Sequence, residues 1–192
     1  MRKLYKTLIA AAAVPLSAAV TTVGAAPAEA ATTQYSVNPC AEDGPTKKDE
    51  KLADRLNDTL EDDLKGQMDG YRVSCARAVV DAVQDRGMGN RVADIAVTTT
   101  IVETHLQNIN VEVDHDSLGL FQQRAHWGSG SDRLDPEWAT NAFLDEMVRL
   151  YPGEGWKDNQ IGIVSQGVQR SAYPDRYQPM SADAMTIVDE LW

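Results

Sequence analysis

A helix-ending glutamate, two aspartates and a glycine–glutamine run share the stretch VETHLQNINVEVDHDSLGLFQQR, Val102 to Arg124. Glu103 closes an apolar helical pattern, Asp114 and Asp116 follow in a loop, and Ser117, Gly119, Gln122 and Gln123 come next. Splitting a glycosidic bond requires a proton for the departing oxygen, hence a carboxylic acid that stays protonated near neutral pH. A glutamate with Val102, Leu106 and Phe121 around it would be dehydrated, which penalises its anion and raises its pKa. Spacing alone leaves a second reading open, a solvated glutamate at a helix end. The two aspartates bear on the outcome. If either faces Glu103 across a sugar with room for water, an inverting hydrolysis follows; if neither does, the substrate's own acetamido group assists. A hydrogen-bonded turn is an equal use of both acids.

Other chemistries fit less well. His105, His115 and His126 with Asp114 and Asp116 match no zinc or calcium spacing, since there is no helical His pair at i, i+4 and no twelve-residue loop ending in Glu. The reading is therefore of no metal and no cofactor. A Ser-His-Asp hydrolase would need a nucleophile elbow, which the chain lacks. Sugar faces stack on aromatic rings, and Trp127, beside Gly128-Ser129-Gly130, is the best stacking candidate; Trp138 and Trp192 read as packing residues.

The elements that must hold these groups read as helices. Leu52, Leu56, Leu60 and Leu64 recur every four residues among charges, predicting an amphipathic helix over 49–66. A helix is expected over 71–86, stopped by Gly87-Met88-Gly89. Asn90 is expected to cap the next, with Val92, Ile95, Ala96, Thr99, Val102 and Leu106 on one face and Glu103 beside it. Residues 117–124 read as a short helix. Asp135-Pro136-Glu137 is a strong start for one running to about Leu150, Asp158 is expected to cap a helix to about Ser171, and Ser181 one to Leu191. A short turn or hairpin around 109–113 is the most that β structure offers. The class is mainly α.

Residues 1–30 read as a secretory signal: Arg2, Lys3 and Lys6, then an apolar run to Val23, then Ala28-Glu29-Ala30. The run is interrupted by Pro15, Ser17 and Gly24, and no other stretch suits a bilayer, so no membrane association is expected after cleavage. The whole chain of 192 residues carries a net charge of −11; without residues 1–30 there are 15 Lys and Arg against 28 Asp and Glu, or −13. Such acidity opposes nucleic-acid binding. Cys40 and Cys75 are the only cysteines, and an oxidising destination predicts one disulfide between them. Residues 31–66 are expected to form an irregular leader and the amphipathic helix, an N-terminal extension of a domain over 67–192, and the protein is expected to be a monomer.

The order Glu103-Thr104, loop, Ser117-Leu118-Gly119-Leu120-Phe121-Gln122-Gln123 resembles the lysozyme-like superfamily, specifically its lytic transglycosylase branch and related domains of secreted actinobacterial wall proteins. That family shows Glu-Ser at a helix end and then Ser-x-x-Gly-x-x-Gly-Leu-Met-Gln or a close variant. GVQRSAYPDRY, Gly167 to Tyr177, looks like the closing helix of the wall-protein relatives. The resemblance spans about Tyr71 to Tyr177. It implies a lysozyme-like fold, peptidoglycan glycan strands as the partner, and an extracellular or wall-associated site of action. It makes Glu103 the acid and base, has Gly119 admit backbone close to the sugar, and gives Ser117, Gln122 and Gln123 to substrate binding. Gln169, Arg170 and Tyr173 would line the far wall of the cleft. The chain departs from the pattern in having Thr104 for Ser and in lacking the Tyr-Asn pair of the transglycosylases. A catalytically silent glycan-binding module on the same fold is the alternative, and a protein-interaction factor acting through the acidic 49–66 helix is a third class.

Overall fold

A computed structural model of the protein describes residues 35–192, so the expected signal segment lies outside the described residues. Within them, α1 is Lys47–Thr59, α2 Gly70–Asp85, α3 Asn90–Thr104, α4 Gly130–Arg133, α5 Pro136–Leu150, α6 Ile161–Gln169 and α7 Ser181–Leu191. The described chain is mainly helical, and none of its helices is long and apolar enough to cross a membrane. Short 3-10 turns at Pro152–Lys157, Pro174–Arg176 and Gln178–Met180 make the connections after α5 and α6.

The helix starts follow from local chemistry. Asp135 accepts from the amides of Glu137 (2.9 Å) and Trp138 (3.1 Å), and Pro136 needs no amide partner in the first turn. Thr46 and Asp49 close a reciprocal capping box on α1. Three expected caps are wrong by a residue or more. Gly89 precedes α3 and Asn90 is its first helical residue; Gln160, not Asp158, precedes α6; Ser181 is the first residue of α7, its hydroxyl donating to the Gln178 carbonyl at 2.7 Å.

α3 is the central helix, packed by α2, α6 and α7 and touched by α5. It is buried on nearly every side, including Asp94, Thr98, Thr99 and Thr100, rather than along the single stripe expected. Ala and Thr supply little bulk, so neighbours approach from all directions, and two of the threonine hydroxyls return to the helix's own carbonyls: Thr99 to Ile95 at 2.8 Å, Thr100 to Val97 at 2.9 Å.

The N-terminal segments join this core. Leu52, Leu56, Leu60 and Leu64 are all buried in it, yet the helix ends at Thr59, so the four-residue spacing outlasts the helix. Beyond Leu60 the chain turns, with the amides of Glu61 and Asp62 caught by the carboxylate of Asp183 at 3.0 and 2.9 Å. Cys40 and Cys75 are bonded, with Cα atoms 4.8 Å apart. Residues 36–38 run antiparallel to 108–110: the amide of Asn38 donates to the Asn108 carbonyl (2.9 Å) and that of Asn110 to the Ser36 carbonyl (3.0 Å). The local hairpin expected at 109–113 is therefore replaced by pairing with the leader, and Tyr71 locks it, its hydroxyl donating to the Asn38 carbonyl and accepting from the Asn108 amide.

Candidate active site

Glu103 lies in the last turn of α3, and the way that helix stops fixes its position. His105 and Leu106 both adopt the left-handed conformation, with φ of 53° and 58°, and their amides bond back to the carbonyls of Ile101 and Thr100. Neither residue is a glycine, so each costs roughly 1–2 kcal/mol of backbone strain. Buried Thr104 sits within hydrogen-bond distance of the carbonyls of Thr100 (3.1 Å) and Leu120 (3.0 Å), coupling the helix end to the glycine-bearing turn.

That turn is not the short helix expected at 117–124. Leu118 and Gln123 exchange backbone hydrogen bonds at 3.1 and 3.0 Å, with Gly119 (φ 78°) and Gln122 (φ 48°) in left-handed geometry between them. A helix cannot hold these dihedrals.

The carboxyl of Glu103 is half-buried and accepts a hydrogen bond at Oε1 from the hydroxyl of Tyr177, which has no exposed surface. Burial raises its pKa above the ordinary glutamate value, and the hydrogen bonds from Tyr177 and Gln169 and the nearby Arg176 cation offset part of that rise. Burial and the Glu103 carboxylate push the Tyr177 phenol upward, so it remains a donor. A glutamate in this setting can hold a proton and, once it has given the proton up, is stabilised as an anion by a fixed donor.

Glu103 lines a groove of about 530 Å³. From the motif loop, Asp114, Ser117, Gln122, Gln123 and Trp127 reach this groove; from the far side come Gln169, Arg170 and Tyr173. Nine of the residues singled out in the sequence are thus brought together. Their duties differ. Tyr173 is 66% exposed on the rim, and Trp127 is half-buried with part of its ring on the core. Gln169 donates to the Phe121 carbonyl at 2.8 Å, bridging the two walls beneath the groove. Gln122 donates to the Gly119 carbonyl at 3.0 Å. Gln123 is 2% exposed and donates to the Ala139 carbonyl at 2.9 Å, so its amide nitrogen serves the interior.

Gly119 and Asp116 lie outside the groove lining. A Cβ on Gly119 would overlap the carbonyl oxygen of Arg133, so the close approach that demands glycine is made by the protein's own chain. Asp116 is bound by Arg124, which holds its carboxyl below the usual range, and it also accepts from the Ala125 amide at 3.2 Å. Asp114 lines the groove at its exposed edge, 2.7 Å from Nδ1 of His115.

Arg124 and Arg176 line the groove, and Tyr177 bonds its acid from the interior; none of the three carried an expected role. Arg176 and Tyr177 end the GVQRSAYPDRY segment, beyond the residues of it that were given a role, and no spacing rule says that this turn folds back on the end of α3. Among the described residues no three His, Cys, Asp or Glu side chains converge as a metal site. His105 lies 3.8 Å from Asp63, away from the pair formed by His115 and Asp114. No family model matches the chain, and a comparison with curated proteins returns no match.

Proposed function

We propose that this protein cleaves the glycan strands of peptidoglycan at a lysozyme-like groove of lytic transglycosylase type, with Glu103 as its single acid and base. The observation that supports this reading most strongly is a half-buried glutamate, hydrogen-bonded by a buried tyrosine, in a groove rimmed by Trp127 and Tyr173. Both rings suit sugar stacking. The Cys40–Cys75 disulfide fits an oxidising compartment outside the cytoplasm.

The chemistry balances with one carboxyl. Glu103 gives its proton to the glycosidic oxygen as the bond from C1 to that oxygen breaks, and the acetamido carbonyl oxygen of the same sugar bonds to C1. Glu103, now an anion steadied by Tyr177, takes the proton of the sugar's 6-hydroxyl. The 6-oxygen displaces the acetamido oxygen at C1, leaving a 1,6-anhydro end and a glutamic acid ready for the next cycle. Transglycosylation is favoured over hydrolysis because the two candidate partners are engaged elsewhere, Asp116 with Arg124 outside the groove and Asp114 with His115 at its exposed edge.

Purified cell walls incubated with the native protein and with Glu103→Gln, the soluble products weighed by mass spectrometry, test the proposal. Anhydro ends from the native protein alone are expected. Reducing ends would mean hydrolysis, retention on walls without products would mean a silent binding module, and neither products nor retention would end the glycan reading.

A further inference from the structure

Three arginines line the groove, and two already have a carboxylate partner. Arg124 is bound to Asp116, and Arg170 reaches Oε1 of Glu146 at 2.6 Å, a carboxylate it shares with Arg149. Arg176 has no ion pair and no side-chain hydrogen bond among the described residues, and it is exposed. Its place is nonetheless fixed: it ends the 3-10 turn that begins at Pro174, and the next residue is Tyr177, fully buried and bonded to Glu103. The guanidinium is near enough for its charge to act on Glu103, His105 and Tyr177 together. In a chain of net charge −11, an anion meets repulsion at long range, so a bound anion needs a local, unspent cation. Arg176 is that cation, one residue from the contact that holds the acid.

We propose that Arg176 is a recognition point for a carboxylate carried on the glycan, so that the groove selects acidic amino-sugar strands over neutral ones. This rests on the glycan-cleaving reading of the groove. A planar guanidinium suits the task because it meets a carboxylate with two parallel N–H donors. In a muramic-type sugar the carboxylate hangs from the ring as a lactyl ether, free in strands stripped of peptide; in intact strands the stem peptide brings its own. Binding such a group would also quench the cation that favours the charged form of Glu103, so the acid would become more firmly protonated when the preferred substrate is in place.

The test uses the full chain bearing Glu103→Gln, titrated calorimetrically with three oligosaccharides of equal length: neutral chito-oligosaccharide, muramic-containing oligosaccharide with free lactyl carboxylates, and the same with stem peptides. The variants Arg176→Gln and Arg176→Lys are added to that background, and cleavage of all three ligands is followed with the native protein. The acidic ligands are expected to bind about tenfold tighter than the neutral one, with the ratio falling to near one in Arg176→Gln and remaining partial in Arg176→Lys. Preference for the free-lactyl ligand assigns the lactyl carboxylate, and preference for the peptide ligand alone assigns the stem. Equal binding of neutral and acidic ligands, or a preference that survives Arg176→Gln, overturns the inference while leaving glycan cleavage intact. If no glycan is bound or cleaved, the functional reading itself fails, and this one with it.

Discussion

Tyr177 and Glu103, 74 residues apart in the chain, meet in one hydrogen bond in which the phenol donates to the carboxylate at the end of the central helix. The pair sets two opposing demands against each other. Burial favours the protonated form of Glu103, while the tyrosine lowers the cost of losing the proton. A group that must serve first as acid and then as base needs both.

Glu103→Gln should lower glycan release by at least about a hundredfold while leaving the fold in place. It should also raise stability in a defined pH window. Folding raises the Glu103 pKa above its usual 4.5, so the folded protein loses stability as pH climbs from there through the raised value. The glutamine variant has no such proton to lose. Melting curves from pH 4 to 8 should therefore diverge, with the native protein falling below the variant; parallel curves would contradict the raised pKa.

Tyr177→Phe removes a hydrogen bond that favours the charged form of Glu103. The Glu103 pKa should rise further, moving the alkaline limb of the pH–rate profile to higher pH, and the rate at its maximum should fall about tenfold because the anion loses its donor. Folding stability should drop by only about 1 kcal/mol, as the ring itself still fills its site. A rate loss with an unmoved limb would give the tyrosine a packing role only.

Reduction of Cys40–Cys75, or Cys40→Ser with Cys75→Ser, reopens a loop closed across a separation of 35 residues, which should cost about 3–4 kcal/mol on the chain-entropy account. The pairing of 36–38 with 108–110 should loosen first, because the bridge tethers the leader beside it. Amide exchange at Asn38 and Asn110 reads this directly: faster exchange there than in α3 is expected after reduction.

Gly119→Ala should destabilise the protein by about 2 kcal/mol or more, since the left-handed backbone and the Arg133 carbonyl both oppose a Cβ. The loss should show equally in thermal melts with and without glycan. If the alanine variant kept full stability and lost only glycan affinity, the glycine would belong to the ligand and not to α4.

Much of the frame is legible from local chemistry. Asp135-Pro136 begins a helix, Gly87-Met88-Gly89 separates two, and the leucines at 52, 56, 60 and 64 lie on a buried stripe, because capping and amphipathic spacing act within a few residues. The same spacing misled where tertiary partners intervene. Leu64 is buried without being helical because Asp183 captures the chain after Leu60. Ile109 pairs with the leader, which the disulfide and Tyr71 hold beside it.

By itself the sequence determined which residues could do chemistry: one glutamate at the end of an apolar helix, a glycine–glutamine segment one loop later, and two cysteines with only each other to pair. Tertiary structure decided which of them meet, sending Asp116 to Arg124, Gly119 to the α4 backbone and Tyr177 to Glu103. The reason is the range of the forces involved. Capping and periodicity are written within a turn or two of helix, whereas the burial that raises the Glu103 pKa depends on how α6 and the turn after it close over the end of α3, and no local pattern encodes that distance.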